Sequence, residues 1–234
     1  LLQTVTSVPP EILYSAYWYR SGTNQTMRDH LKGIADDAVA MIEKSEARVL
    51  DIGCNDGTLL KNYPEKYLKF GVDPSDVAQE VKDDVTVIQD IFPSAELISI
   101  LAGKKLDIIT SIAMFYDLED PSAFVRNIRD MLSDDGIWIF EMSYMPLMLE
   151  MNSYDTICHE HLEYYSFSVI ENMLARNNMK IVKAGFNDIN GGSIRCYATH
   201  ENNFNYKSKN NIKSIKNIRQ QEFDLELDTD KPYQ

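Results

Sequence analysis

The chain has 234 residues, enough for one large α/β domain or two small ones, and its 44% hydrophobic content is ordinary for a globular protein. With 36 acidic and 23 basic residues, the formal net charge is −13. Such a chain repels a nucleic-acid backbone, so we expect no nucleic-acid partner. No apolar run approaches the roughly 18 residues that span a bilayer, and the first residues lack a signal-peptide pattern. We therefore expect a cytoplasmic chain without a membrane partner.

Short apolar runs recur between residues 48 and 142, with helical patterns between them. The runs cover residues 48–52, 67–72, 85–88, 106–110 and 137–142. A helix is predicted to begin at Leu59, directly after the first run, and another covers residues 121–132. This alternation predicts an α/β fold: a doubly wound, mostly parallel seven-stranded sheet with helices on both faces.

The remaining part of the chain adds a helix and a hairpin. The helix is predicted over residues 166–177, with the Ser166 hydroxyl as its cap. Strands over residues 181–186 and 193–199, joined by an Asn-Gly-Gly turn, predict a C-terminal antiparallel hairpin. Residues 201–216 are rich in Asn, Lys and Ser, which indicates a solvated or poorly ordered linker before an isolated helix.

A glycine loop with the sequence D-I-G-C-N-D-G follows the first predicted strand, at residues 51–57. In a doubly wound sheet, glycines at this place let the backbone approach a ligand closely. The pattern differs from the dinucleotide fingerprint G-x-G-x-x-G, because an acid precedes the first glycine and Asn55 replaces the middle one. Asp51 and Asp56 would repel a pyrophosphate but attract the cationic groups of S-adenosylmethionine. The loop therefore favours S-adenosylmethionine over NAD.

Further cofactor contacts are expected where the next strands end. Asp73 can accept both ribose hydroxyls, Asp90 can accept from the adenine amino group, and Phe92 can pack on the ring. Each feature alone is equally typical of an ordinary turn or helix cap, and their order along the chain favours the cofactor site. The predicted cofactor-binding residues are Asp51, Gly53, Asn55, Gly57, Asp73, Pro74, Asp90, Ile91, Phe92, Ser111 and Met114.

Four segments carry a more specific pattern. They are residues 17–27 (YWYRSGTNQTM), 51–57 (DIGCNDG), 159–166 (HEHLEYYS) and 190–195 (NGGSIR). In this order they resemble the sugar C-methyltransferases that act on nucleotide-linked 4-keto-deoxyhexoses. The resemblance implies a Rossmann-like methyltransferase whose cofactor is S-adenosylmethionine. Relatives also carry an N-terminal zinc module and a C-terminal Rossmann-like region, so the resemblance further implies a truncated relative or a reduced form of the enzyme.

Methylation at carbon requires a base that removes a proton next to a ketone, which gives an enolate. The resemblance implies His161, in the H-E-H segment, as this general base, while Glu160 positions the substrate or holds the imidazole tautomer. Hydroxyl groups of Tyr17 or Tyr19 and of Tyr164 or Tyr165 could stabilise the enolate oxygen. The predicted catalytic residues are His161, Glu160, Tyr17, Tyr19 and Tyr165.

Several alternatives stay open on the sequence. His159 and His161 could form a metal pair, but no third ligand lies at a recognisable spacing, so we expect no metal. Cys158 stands where relatives often have a tyrosine, and Arg195 could orient a phosphate or a carbonyl. An O- or N-methyltransferase of another small molecule and a non-catalytic cofactor-binding remnant are competing functions.

The expected organisation has three regions. Residues 1–45 form an aromatic segment and a helix that cover the cofactor cleft, residues 46–200 form the methyltransferase domain, and residues 201–234 form a linker and the start of a C-terminal region. The expected partner is a small molecule, a nucleotide-linked keto sugar, and the sequence indicates no oligomeric state.

Overall fold

The main feature of the fold is a mixed β-sheet. The structure is a computed structural model that describes residues 2–3, 8–14, 18–81, 84–206 and 208–233. Among these residues, seven strands form one sheet in the order β3-β2-β1-β4-β5-β7-β6. They are β1 (Arg48–Ile52), β2 (Leu68–Val72), β3 (Val85–Ile88), β4 (Leu106–Ile112), β5 (Leu132–Ser143), β6 (Met179–Asn187) and β7 (Ser193–His200). β1 pairs in parallel with β2 and β4, β2 pairs in parallel with β3, and β6 and β7 form an antiparallel hairpin. The predicted α/β fold is confirmed.

Among the described residues, α-helices precede β1, follow β3, β4, β5 and β7, and are replaced by 3-10 segments between β1, β2 and β3. They are α1 (Pro10–Leu13), α2 (Gln25–Ile42), α3 (Ala95–Leu101), α4 (Pro121–Met131), α5 (Met145–Met151), α6 (Phe167–Arg176) and α7 (Lys209–Asp224). None of the helices in the described part of the chain has the length and apolar content that crossing a bilayer requires.

The described residues divide into two compact units. The N-terminal unit consists of residues 8–112 and 130–139, and the C-terminal unit of residues 2–3, 113–129 and 140–233. Both have apolar interiors: Leu50 and Ile108 in the first and Phe140 and Phe167 in the second are fully buried. The three-region division expected from the sequence stays a prediction.

Helix α2 is amphipathic, and the side chain of Asn24 caps its N-terminus. The Asn24 side chain accepts a hydrogen bond from the Met27 N–H at 2.7 Å, which satisfies one of the donors that a helix start leaves unpaired. The buried positions recur every three or four residues, as one face of a helix requires. They are Leu31, Ile34, Ala35, Ala38 and Ile42.

The prediction of a helix directly after the glycine loop is wrong. Only one 3-10 turn, Leu60–Asn62, forms there, and a second 3-10 segment, Asp76–Glu80, links β2 and β3. Pro64 explains the first stop, because the residue before a proline is pushed out of the helical region. Tyr63 accordingly has extended backbone, with φ −76° and ψ 151°.

Two predicted boundaries are also corrected. Strand β5 begins at Leu132 rather than at Ile137, so it includes the acidic stretch that was expected to separate helix from strand. Helix α7 begins at Lys209, inside the segment predicted to be a solvated linker. The helix packs against β6 and α6, and the Ser214 hydroxyl donates to the Ala184 carbonyl at 2.8 Å. Tertiary contacts thus order a segment whose composition alone indicated a linker.

The start of α6 is capped by a residue that is distant in the sequence. The buried Glu222 carboxylate of α7 accepts hydrogen bonds from the Phe167 and Ser168 N–H groups and, at 2.6 Å, from the Tyr144 hydroxyl. No side-chain cap bond comes from Ser166, so the predicted hydroxyl cap is wrong. A carboxylate stabilises the start of α6 more than a hydroxyl would, because its charge also complements the partial positive charge of a helix N-terminus.

Replacing Glu222 tests this capping role. In Glu222→Gln, one carboxylate oxygen becomes an NH₂ group, which has no acceptor to offer the N–H groups of α6. We expect the free energy of unfolding to fall by about 1–3 kcal/mol in urea titrations. The matched control is Asp224→Asn, an exposed carboxylate two residues along the same helix, for which a change within about 0.5 kcal/mol is expected. Equal losses in both variants would contradict the capping role.

Candidate functional site

The glycine loop lies where the strand order reverses. β1 has β2 on one side and β4 on the other, with Asp51 opposite Thr110 and Ile52 opposite Ser111. In open α/β sheets, ligands bind in the crevice at the carboxyl ends of the strands at such a reversal. Residues 53–57 leave β1 at this end, so the loop occupies the position that the sequence pattern predicted.

The loop backbone explains why asparagine can replace the middle glycine. Gly53, Asn55 and Gly57 have φ values of 74°, 49° and 72°, all in the left-handed region. Asparagine is among the few non-glycine residues that adopt this region readily. At Gly57 a side chain would also collide with Val81, since an added Cβ would lie 2.8 Å from its Cγ1.

The N–H groups of the loop are largely used within the protein. Those of Gly53 and Gly57 donate to the carbonyls of Val72 and Cys54, at 2.8 and 2.9 Å, and that of Asn55 donates to a carboxylate. A pyrophosphate site needs several free N–H groups that point at the ligand. The geometry therefore supports the sequence-based preference against a dinucleotide.

Asp73, at the end of β2, supplies that carboxylate. One oxygen accepts from the Asn55 N–H at 2.8 Å, and the other accepts from the N–H and hydroxyl of Ser75 at 2.8 and 2.5 Å. The side chain is buried, with 7% of its surface exposed. Asp73 thus fastens the loop to the neighbouring strand, a structural role that exists whether or not the carboxylate also accepts ribose hydroxyls.

A second motif, residues 19–22, contacts the same loop: its backbone groups bind side chains of the loop. The Asn55 amide donates to the Tyr19 carbonyl at 3.0 Å and accepts from the Ser21 N–H at 2.9 Å. The Asp56 carboxylate accepts from the Gly22 N–H at 2.8 Å. Two segments that the sequence analysis treated separately therefore form one structure, and Asn55 is its central link.

Asp51, at the start of the loop, is a buried acid whose pKa is raised. It lies inside the N-terminal unit and accepts a 2.6 Å hydrogen bond from the Thr110 hydroxyl. Burial raises the pKa of its carboxyl from 3.8 to about 7, the Thr110 bond lowers it, and the negative charge of Asp73 raises it. Two acids thus share a buried region in which a cation would stabilise both charged forms.

The other predicted cofactor residues differ in their environment. Asp90 and Ile91 are exposed, and the Asp90 carboxylate accepts from the Ile91 N–H at 2.8 Å. Phe92 is buried, and Ser111 is fully buried, with its hydroxyl accepting from the Trp138 ring N–H at 3.0 Å. Pro74 and Met114 are partly buried, and Met114 belongs to the C-terminal unit. Their contacts with the cofactor stay predictions.

A polar groove of about 620 Å³ borders the loop in the N-terminal unit. Four basic residues line it, together with Asp29 and Asp56; they are Arg20, Arg28, Lys32 and Lys61. Among the described residues, Arg28 donates to the neutral oxygens of Gly22 and Gln25, and Lys61 donates to the carbonyl of Asp56. Arg20 and Lys32 form ion pairs with Glu80 and Asp36, so the local positive charge comes mainly from Arg28 and Lys61, in a protein of net charge −13.

In the C-terminal unit, the H-E-H segment lies against Tyr116. The Leu162 and Glu163 N–H groups donate to the Tyr116 carbonyl at 2.8 and 3.1 Å, and the Tyr116 and His161 rings are 4.1 Å apart between centroids. His161 Nδ1 lies 2.7 Å from the Thr156 carbonyl oxygen. Because a carbonyl only accepts, Nδ1 carries the proton and the lone pair is on Nε2.

Burial lowers the pKa of His161, while its bond to Thr156 and the charge of Glu160 raise it. The net shift is downward, so the imidazole is mainly neutral at pH 7. The sequence offered two roles for Glu160, and one of them was to hold the imidazole tautomer. The Thr156 carbonyl holds the tautomer instead, and Thr156 was not identified from the sequence. Nothing in the sequence distinguishes this carbonyl, because it is a backbone group.

The tyrosines have separate environments. Tyr165 is buried in the C-terminal unit, where burial and then the Glu163 charge raise its pKa. Tyr19 is partly buried in the N-terminal unit, and its pKa is raised by burial and by Asp56. Both phenols are therefore protonated donors at neutral pH. Tyr17 lies outside the described residues.

The Arg195 guanidinium forms a buried ion pair. Its Nε donates to the Glu141 carboxylate at 2.7 Å, and the Asn187 amide donates to the same oxygen at 2.9 Å. This pair holds the guanidinium within the C-terminal unit, and a contact of Arg195 with a substrate phosphate or carbonyl stays a prediction.

Comparison with known proteins decides the family. A family model described as a methyltransferase domain matches residues 21–184 of the chain. This chain belongs to that methyltransferase family. Membership confirms the enzyme class and the cofactor, S-adenosylmethionine, that the loop predicted.

Relatives of this methyltransferase add detail. The C-methyltransferase NovU of Streptomyces niveus is 25% identical over 197 residues, 82% of this chain, and the chain spans about half, 47%, of that relative's length. Magnesium protoporphyrin IX methyltransferase from Synechocystis, with bound SAH, is 14% identical with a TM-score of 0.58, covering 78% of this chain and 90% of that one. The plantazolicin methyltransferase BpumL also has 14% identity and a TM-score of 0.58, over 76% and 86% of the two chains. These two solved structures share the fold of this chain.

The raised pKa of Asp51 makes the stability of the methyltransferase pH-dependent. Since the folded-state pKa exceeds the unfolded value, the folded state holds the extra proton between about pH 4 and 7. This contribution to stability is complete below pH 4 and is lost as the pH rises towards 7. Relative to Asp51→Asn, the wild type should lose up to about 4 kcal/mol of unfolding free energy across this window in urea titrations.

A second variant, at Thr110, should raise the pKa of Asp51 further. Thr110→Val removes the hydroxyl that stabilises the charged carboxylate, so the loss of stability should extend to higher pH. Parallel pH profiles for the wild type and Asp51→Asn would show that the carboxyl titrates normally.

Proposed function

We propose that this methyltransferase uses S-adenosylmethionine to methylate a carbon of a keto-deoxysugar nucleotide through an enolate. The observation that carries the proposal is the state of His161. The Thr156 carbonyl holds the proton on Nδ1, and partial burial lowers the pKa, which leaves a neutral Nε2 able to accept a proton at pH 7. The relative named as a C-methyltransferase supports carbon as the methylated atom.

Asp51 and Asp73 are the acids that favour the cofactor in this proposal. S-adenosylmethionine carries a sulfonium and an amino group, and a cation near two buried carboxylates gains Coulomb energy that water screens only weakly. Asp73 keeps acceptor capacity on the oxygen that binds the Asn55 N–H, which a ribose hydroxyl could use. Asp90, Ile91 and Phe92 would contact the adenine.

The polar groove favours an anionic substrate. A sugar nucleotide carries a diphosphate, which the net charge of −13 would repel at long range. Arg28 and Lys61, whose bonds go to neutral oxygens, supply local positive charge next to the cofactor loop. Such cations can bind phosphate oxygens.

The enolate needs a hydrogen-bond donor at its oxygen, and Tyr165 and Tyr19 are the proposed candidates because their raised pKa values keep the phenols protonated. Methyl transfer then requires in-line alignment of the carbanion with the sulfonium methyl group. Glu160 would position the substrate.

Exchange of the substrate α proton with solvent deuterium tests the proposed base. In D₂O and without S-adenosylmethionine, the wild type should exchange the proton next to the ketone of a 4-keto-deoxysugar nucleotide. His161→Gln should slow this exchange by about 100-fold or more, because a glutamine amide is not a base at neutral pH. The exchange rate of the wild type should also fall at acid pH with an apparent pKa below the ordinary histidine value.

His159→Gln is the matched control, since it removes the other imidazole of the H-E-H segment and should keep exchange near the wild-type rate. An active enzyme that methylates without any exchange would instead favour the O- or N-methyltransferase alternative. Binding of S-adenosylmethionine without turnover of any keto-sugar nucleotide would favour the non-catalytic remnant.

A further inference from the structure

Three potential metal ligands converge in the C-terminal unit. The Cys158 sulfur, a Glu160 carboxylate oxygen and a His161 ring nitrogen all lie within 4.8 Å of one another. All three residues are partly buried. Ligand atoms around a tetrahedral Zn²⁺ are separated by about 3.5 Å, as bond lengths of roughly 2.0–2.3 Å require. Side-chain rotations that bring the three atoms about 1 Å closer would therefore allow one cation to contact all of them.

The tautomer of His161 is the one that leaves Nε2 available to a cation. Its Nδ1–H donates to the Thr156 carbonyl, which fixes the ring and directs the lone pair to Nε2. Metal-ligating histidines usually make such a bond with the nitrogen that does not bind the metal. The cluster thus has an ordered imidazole ligand before any cation arrives.

We propose that Cys158, Glu160 and His161 form a three-ligand site for a thiophilic divalent cation of the Zn²⁺ type. Thiolate and imidazole ligands favour Zn²⁺ over Mg²⁺ and Ca²⁺, which prefer oxygen ligands. Binding converts the Cys158 thiol to a thiolate and releases its proton to solvent. Three protein ligands leave the fourth position of a tetrahedral ion for water.

This site differs from the histidine pair that the sequence suggested. His159 is exposed and is not a member of the cluster, whereas Cys158 provides the third ligand that the sequence pattern lacked. The spacing C-x-E-H is too short to match a recognised zinc motif, which is why only the folded segment reveals it.

Metal binding also has a consequence that rests on the proposed function. A cation on Nε2 of His161 occupies the lone pair proposed to remove the substrate proton. Zn²⁺ binding and α-proton exchange are then mutually exclusive, so Zn²⁺ should inhibit exchange at the concentrations at which it binds.

Cobalt(II) is the probe for the site, because a cysteine thiolate bound to Co²⁺ gives a ligand-to-metal absorption band in the near ultraviolet. Titration of the whole chain with Co²⁺ should give this band with one equivalent bound. Cys158→Ser should abolish the band, and Glu160→Gln and His161→Gln should weaken Co²⁺ binding by about 10-fold or more. Zn²⁺ should displace the cobalt. Far-ultraviolet circular dichroism verifies that each variant is folded.

His159→Gln is the matched control and should bind Co²⁺ as the wild type does. No charge-transfer band in the wild type, or an unchanged band in Cys158→Ser, overturns the site, whether or not the enzyme is active. A band that disappears with Cys158, together with full α-proton exchange in the Zn²⁺-loaded protein, supports the site and instead overturns His161 as the base.

Discussion

The hydrogen bond from the Asn55 N–H to the buried Asp73 carboxylate is the interaction on which the cofactor loop depends. It joins the loop after β1 to the end of β2. The left-handed conformation of Asn55 directs its side chain to the Tyr19 carbonyl and the Ser21 N–H, so the aromatic segment is fastened at the same point. One residue therefore couples the strand end, the turn and the segment before α2.

This loop arrangement places two carboxyl groups, those of Asp51 and Asp73, in a buried region. Asp73 is compensated by donors from Asn55 and Ser75, whereas Asp51 receives a single hydroxyl and its pKa rises to about 7. In the proposed function the cofactor supplies the missing positive charge. This explains how a loop with the position of a dinucleotide site can favour a sulfonium, since most of its N–H groups are already bonded and a cation would stabilise the charged form of Asp51.

The sequence was sufficient for features that depend on local pattern. The alternation of strands, the C-terminal hairpin and the glycine loop follow from periodicity and from residues that adopt particular backbone angles. It failed where distant residues decide the outcome. Glu222 caps a helix 55 residues away, α7 is ordered by packing on β6, and the Thr156 backbone carbonyl sets the tautomer of His161. The helix predicted after the loop was a misjudgement of local pattern, because Pro64 was already there to stop it.

Proton release on cofactor binding tests the central claim, that Asp51 provides charge for the cation of S-adenosylmethionine. Calorimetric titration at pH 7 in two buffers of different ionisation enthalpy measures it directly. If the cofactor neutralises this region, the carboxyl, which is about half protonated at pH 7, loses its proton, and up to about half a proton is released per molecule bound. Release should be smaller with S-adenosylhomocysteine, which lacks the sulfonium charge, and absent in Asp51→Asn. Equal binding enthalpies in the two buffers, or proton uptake, would contradict the claim.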